Sequence, residues 1–171
     1  QGKTLGVVGL GHIGTLVARK CAAAFAMRVL AYDPFVTNPP SVAGGSLEMV
    51  DDLNDLVRQA DFITLHTPLT PQTEGLIGET QFSLMKPDAI LVNSCRGAVV
   101  DEGAMVAALR GGRIAGAGLD AFVDEPIKPD SPLLTLDNVL LSPHVGGQTH
   151  EALQAMARDV ASGVVAVLKG R

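Results

Sequence analysis

From end to end, short apolar runs of β-forming residues alternate with stretches whose apolar residues fall at helical spacing. That alternation leaves few folds open to the chain. TLGVVGL (4–10), RVLAYD (28–33), DFITLHT (61–67), AILVNS (89–94), RIAGAGLD (113–120) and NVLLSPH (138–144) read as six strands. Behind the first, Ile13, Leu16, Val17, Lys20 and Cys21 keep helical spacing, and the apolar members form one stripe. Asp51 or Asp52 caps a short helix, ETQFSLM (79–85) gives a helical turn or two ended by Lys86–Pro87, and Asp101 caps a helix that stops at Gly111–Gly112. Leu153, Met156, Val160, Val164 and Val167 mark a last long helix capped by Thr149, whereas TNPPSVAGG (37–45) reads as a loop. Six strands with helical crossovers predict an α/β fold: a doubly wound parallel sheet in three α/β/α layers, the Rossmann dinucleotide-binding arrangement.

Composition agrees with that prediction and excludes several alternatives. Of 171 residues, 47% are hydrophobic and only 4% aromatic, so the core is built from Ala, Val, Leu and Ile, as a buried parallel sheet requires. The length suits one domain, taken as residues 1–171. A formal net charge of −5 without any basic cluster argues against nucleic acid, and no apolar stretch is long enough for a membrane span. Two cysteines make neither a disulfide framework nor a zinc cluster, so no metal is expected and a reducing, cytoplasmic setting is the default. A chain that opens at Gln1 points to a segment of a longer polypeptide.

Within this frame the turn after the first strand carries chemistry. Gly9, Gly11 and Gly14 form a G-x-G-x-x-G pattern between a strand and an amphipathic helix. Gly9 permits the tight turn, Gly11 lets backbone approach a pyrophosphate, and Gly14 lets helix and strand pack closely. The helix's unpaired N–H groups and positive end then face the anion. Asp33 ends the second strand, where a carboxylate holds ribose hydroxyls and repels a 2′-phosphate, so NAD is expected over NADP.

Ligands of such sheets lie beyond the carboxyl ends of the strands, and four polar residues stand there: His66, Arg96, Asp120 and His144. VNSCRGAVVDEGAMVAAL, GAGLDAFVDEP and LSPHVGG follow in that order, and with GKTLGVVGLGHIG and LHTPLTPQTEGLI they resemble the nicotinamide-binding domain of the D-isomer-specific 2-hydroxyacid dehydrogenases, particularly the phosphoglycerate dehydrogenase branch. The resemblance runs from Gly2 to Gly170.

It implies that Arg96, Glu125 and His144 are catalytic. His144 would be acid in reduction and base in oxidation, Glu125 would orient its ring, and Arg96 would hold the substrate's carboxylate and carbonyl. It further implies that His12 and Ile13 offer backbone N–H groups to the pyrophosphate and that Thr67 and Pro68 flank the adenosine. Cys95, Asp120, Gly146 and Gly147 would line the nicotinamide end, and His66 would support the crevice. His12 departs mildly from the basic or polar residue common at that position, and Cys95 from the usual Thr, Ser or Ala. The implied partners are a small 2-hydroxy or 2-oxo acid and a second copy in a homodimer. A second domain, built from segments before and after this one, would complete the substrate site.

Two other readings share the glycine turn. An NAD-sensing regulatory module, of the co-repressor type, uses the same fold and the same three side chains, but no basic patch or peptide-docking feature favours it. An NAD domain of the adenosylhomocysteine hydrolase or alanine dehydrogenase type fits the turn and not the Arg–Glu–His order.

Overall fold

A computed structural model describes residues 2–43 and 46–170. Its element order is β1 (Thr4–Val8), α1 (His12–Phe25), β2 (Arg28–Tyr32), β3 (Leu47–Met49), α2 (Leu53–Gln59), β4 (Phe62–Leu65), α3 (Glu79–Leu84), β5 (Ile90–Asn93), α4 (Glu102–Arg110), β6 (Gly116–Leu119), β7 (Val139–Leu141) and α5 (His150–Leu168). Short 3-10 turns occupy Gly97–Val99 and Pro132–Thr135. The strands form one sheet in the order β3-β2-β1-β4-β5-β6-β7, and every pairing is parallel.

All six strands read from the sequence are present, and β3 is a seventh that the sequence reading passed over. It has three residues and lies at the sheet edge beside β2, too short for alternation to register. The loop reading for 37–45 holds through Ala43; its last two residues, Gly44 and Gly45, lie outside the described ones. Three helix caps stand where the sequence puts them: Asp52, Asp101 and Thr149 accept from the N–H groups of Asn54, Ala104 and Ala152.

The main core lies between one sheet face and α2, α3 and α4, with Leu30, Leu56, Ile63, Leu65, Ile77 and Leu91 fully buried. Burying each such side chain stabilises the fold by roughly 1.5–3 kcal/mol. A smaller core joins α1 to β1 and β2. Here the packed row of α1 is Gly14, Ala18 and Ala22, not the stripe of larger side chains; Ile13 is 63% exposed. The helix lies so close to the strand that a Cβ at Gly14 would overlap the carbonyl of Gly9, and only small residues fit. Val17 and Cys21 sit at the margin of this contact. The stripe on α5 is real but buries nothing: Leu153, Met156, Val160, Val164 and Val167 are all exposed. No helix among the described residues is long and apolar enough to cross a membrane.

Candidate functional site

Because every strand runs the same way, the loops that follow them all emerge on one edge of the sheet. The strand order reverses between β1 and β4, and a crevice opens at such a point. A cleft of about 480 Å³ lies there, lined among others by Gly9, Gly11, Asp33, His66, Thr67 and Pro68. Tyr32, Pro34 and the 90% exposed ring of Phe35 stand at its rim.

The three glycines divide their work. Gly9 sits at φ 90° with His66 and Thr67 against it, and Gly14 is fixed by helix packing. A Cβ at Gly11 would meet only open space, so the chain's own packing does not require glycine there. Gly11 is also the N-cap of α1 and supplies no side-chain cap, and the first turn carries no acidic residue. Thr15 N–H makes the first bond back, to the Gly11 carbonyl at 2.9 Å. The first-turn N–H groups, including those of His12 and Ile13, therefore have no intrahelical acceptor. The other α-helices all carry an acid in the first turn or a side chain over their N-terminus.

Asp33 is engaged by the turn itself: Leu10 N–H donates to Oδ2 at 2.8 Å and Phe35 N–H to Oδ1 at 2.9 Å. It thus stands beside the glycine turn, at the end of β2, on the wall of the cleft. His66 Nε2 lies 3.0 Å from Thr64 Oγ1. Burial pushes the His66 imidazole below its ordinary range, so the ring is neutral at neutral pH and supports the wall without a charge. Thr67 Oγ1 is buried with no hydrogen-bond partner among the described residues. Such a hydroxyl costs about 1–3 kcal/mol unless a ligand or water satisfies it. An uncapped helix end, an unfilled glycine and an orphaned hydroxyl in one cleft fit a dinucleotide with its phosphates at α1.

Farther along the edge, the loops after β5, β6 and β7 meet. Nδ1 of His144 lies 2.9 Å from both carboxylate oxygens of Glu125. Phe122 N–H donates to Glu125 Oε1 at 3.0 Å. That bond first, then the His144 ring and the more distant charge of Arg96, hold the Glu125 carboxyl below its usual range despite some desolvation. Nε2 of His144 makes no hydrogen bond among the described residues. Arg96 is exposed, and Nη1 donates to the Cys95 carbonyl at 2.6 Å. The loops bearing Arg96 and Glu125 are in direct contact, because a Cβ at Gly97 would overlap the Phe122 backbone. Arg96, Glu125 and His144 are therefore brought to one place.

Asp120 behaves differently from a free ligand group. Val145 N–H donates to Oδ1 at 3.0 Å and Gly146 N–H to Oδ2 at 2.8 Å. Desolvation by itself would raise the Asp120 carboxyl, but these bonds and the Ser142 hydroxyl outweigh it and keep the group ionised. Its contacts hold the turn that carries His144 at φ 55°, and a Cβ on Gly146 would crowd its carboxylate. Gly147 follows in open space, and Cys95 is half-buried with its Sγ 3.1 Å from Asn93 Oδ1.

Asn93, Thr64 and Ser142 escaped the sequence reading. Thr64 and Asn93 work through side-chain bonds to residues two or three places on, and Ser142 through a bond to Asp120 of another loop. The one available signal, for Thr64 and Asn93, is a polar residue within an otherwise apolar strand.

Comparison with known proteins identifies the family. Residues 1–146 match the family model described as "D-isomer specific 2-hydroxyacid dehydrogenase, NAD binding domain". The chain is 50% identical over 169 residues to D-3-phosphoglycerate dehydrogenase of Methanocaldococcus jannaschii, covering 99% of this chain and 32% of that protein. It is 48% identical over 169 residues to glyoxylate reductase of Korarchaeum cryptofilum, covering 99% of this chain and 50% of the relative. The fold superposes with a TM-score of 0.86 and 36% identity on D-lactate dehydrogenase with NAD+ from Lactobacillus jensenii, covering 99% of this chain and 53% of that one. The chain thus spans from about a third to about half of the length of these proteins. It belongs to the D-isomer-specific 2-hydroxyacid dehydrogenase family, of which it is an NAD-binding domain.

Proposed function

We propose that residues 1–171 are the cofactor half of a dehydrogenase that interconverts a small 2-hydroxy acid and its 2-oxo acid, with the rest of the substrate site supplied by a second domain. The observation that carries the reading is the 2.9 Å contact between His144 Nδ1 and Glu125, on the same sheet edge as the glycine cleft and beside Arg96.

NAD(H), when bound, supplies or accepts the hydride at the substrate's C2. Backbone N–H groups of His12 and Ile13 at the start of α1 would hold the pyrophosphate, and Asp33 the ribose hydroxyls. Thr67 and Pro68 would border the adenosine, and Cys95, Gly146 and Gly147 the redox end. Asp120 acts there through the turn it holds.

Glu125, ionised at neutral pH, accepts from Nδ1 of the His144 ring and fixes that face toward itself. Nε2 then faces the substrate. In reduction it donates a proton to the carbonyl oxygen, and in oxidation it takes the hydroxyl proton back. The planar fork of Arg96 pairs with the substrate carboxylate and polarises the adjacent carbonyl. The whole enzyme works as a homodimer on this reading.

The test is His144→Ala in the full-length protein, assayed with NADH and glyoxylate, hydroxypyruvate or pyruvate. Turnover should fall by roughly 10²–10⁴-fold, the span of general acid–base catalysis, with NADH affinity unchanged. Undiminished turnover removes His144 from the chemistry. A parent protein that binds NADH and reduces no 2-oxo acid would make the chain part of a sensor instead.

A further inference from the structure

Arg96 projects from a turn whose shape is fixed by one buried side chain. Asn93, the last residue of β5, is 1% exposed. Its Oδ1 accepts from Cys95 N–H at 3.1 Å and from the Cys95 thiol at 3.1 Å, and its Nδ2 donates to the Arg96 carbonyl at 2.9 Å. The same Arg96 carbonyl accepts from Val99 N–H at 3.3 Å, which starts the 3-10 turn. The Asn93 backbone is anchored as well, since its carbonyl accepts from Asp120 N–H at 2.9 Å. The side chain must accept from a donor two residues ahead and donate to an acceptor three residues ahead. An amide carries both on one planar group, whereas a carboxylate would set an oxygen against the Arg96 carbonyl.

From this we infer that Asn93 is a positioning residue for substrate binding: its carboxamide sets the direction in which the Arg96 guanidinium leaves the sheet edge. The inference rests on the reading of Arg96 as the carboxylate-binding group. A long arginine has ample rotamer freedom, and among the described residues its guanidinium makes one hydrogen bond, to the Cys95 carbonyl. Orientation must therefore come from the backbone at residues 95 and 96, which the Asn93 amide clamps from within the sheet. The burial that makes Asn93 look like a core residue is what makes the clamp stiff, because an amide removed from water gives up its bonds only at the full desolvation cost.

The experiment is a double-mutant cycle in the full-length protein, with Asn93→Ser, Arg96→Ala and the pair, followed by NADH and 2-oxo acid kinetics. Serine keeps an acceptor for Cys95 N–H and drops the donor to the Arg96 carbonyl. Asn93→Ser alone should lower kcat/KM for the acid by roughly ten- to a hundredfold, mainly through KM, with NADH affinity within about twofold of the parent. On the Arg96→Ala background the same change should cost less than about threefold, because the group it positions is gone. Asn93→Asp, which keeps the shape, loses the donor and sets an oxygen against the Arg96 carbonyl, should raise KM for the acid at least as much as the serine variant. An equal loss on both backgrounds, or no loss in either single Asn93 variant, overturns the positioning role. So does failure of both Asn93 variants to fold, which would make the residue a determinant of the fold. If Arg96→Ala itself leaves KM for the acid unchanged, the underlying reading of Arg96 has failed, an outcome separable from the others.

Discussion

The three glycines after β1 share a motif and differ in what demands them. Gly14 is required by the chain, as a Cβ there would overlap the Gly9 carbonyl, while Gly11 faces open space. Gly14→Ala should cost about 1–3 kcal/mol by overpacking. Gly11→Ala should cost at most about 1 kcal/mol of N-cap preference yet weaken NADH binding about tenfold or more. Urea denaturation and a fluorescence titration separate the two, and unaltered NADH affinity in Gly11→Ala would remove the phosphates from that turn. Glycine roles of this kind are legible in sequence because they are backbone chemistry at fixed spacing. The bonds made by Asn93 and Thr64 reach only two or three residues along the chain, to Cys95, Arg96 and His66, but polar residues at such spacing are common and carry no mark of their partners. The bond from Ser142 to Asp120 depends on which loop comes to lie beside which.

At the level of elements, six of the seven strands were readable because each is an apolar run closed by glycine, proline or a polar residue, whereas β3 is too short. What misled was α1, where the largest apolar residues face outward and a Gly14–Ala18–Ala22 row packs. Hydrophobicity ranks residues by size, but a helix pressed onto a strand selects for smallness. Where two strands begin, Asp61 joins them: Thr4 N–H donates to Oδ2 at 2.7 Å and Lys86 Nζ to Oδ1 at 2.9 Å. Desolvation is the largest single influence and opposes ionisation, but these contacts outweigh it and hold the carboxyl below its usual range. A carboxyl lowered by folding adds stability above its unfolded pKa, and that stability is lost as pH falls through the folded value. Asp61→Asn should therefore lower stability by about 1–3 kcal/mol at neutral pH and by less in acid. Equal loss at both pH values would rule out the charge. For α5, whose residues are all at least partly exposed, deletion of 150–171 should shift the melting temperature of the remaining chain by no more than about 2 °C. A larger fall would mean the helix packs on the body after all.

Across the whole molecule, the site is assembled from the ends of β1, β2, β4, β5, β6 and β7, so no short segment contains it. Its order along the chain was legible; its convergence came from the parallel sheet. The chain covers only 32% and 50% of two of its relatives, and on the proposed function a second domain joins Arg96 in orienting the acid and excludes water. Alone, the chain should bind NADH while turning over 2-oxo acids at least about a hundredfold more slowly than the full-length protein. Comparable rates would place the entire site in these residues. The tight seam at Gly97, where the Arg96 loop rests on the Phe122 backbone, bears on how such an enzyme would operate. On the proposed function, the Arg96 clamp and the Glu125–His144 couple would ride on one block, so whatever swings against this edge would alter their surroundings and leave their mutual spacing alone. The entropy of arranging them is lost once, as the polypeptide folds, and not again with every molecule of acid that arrives.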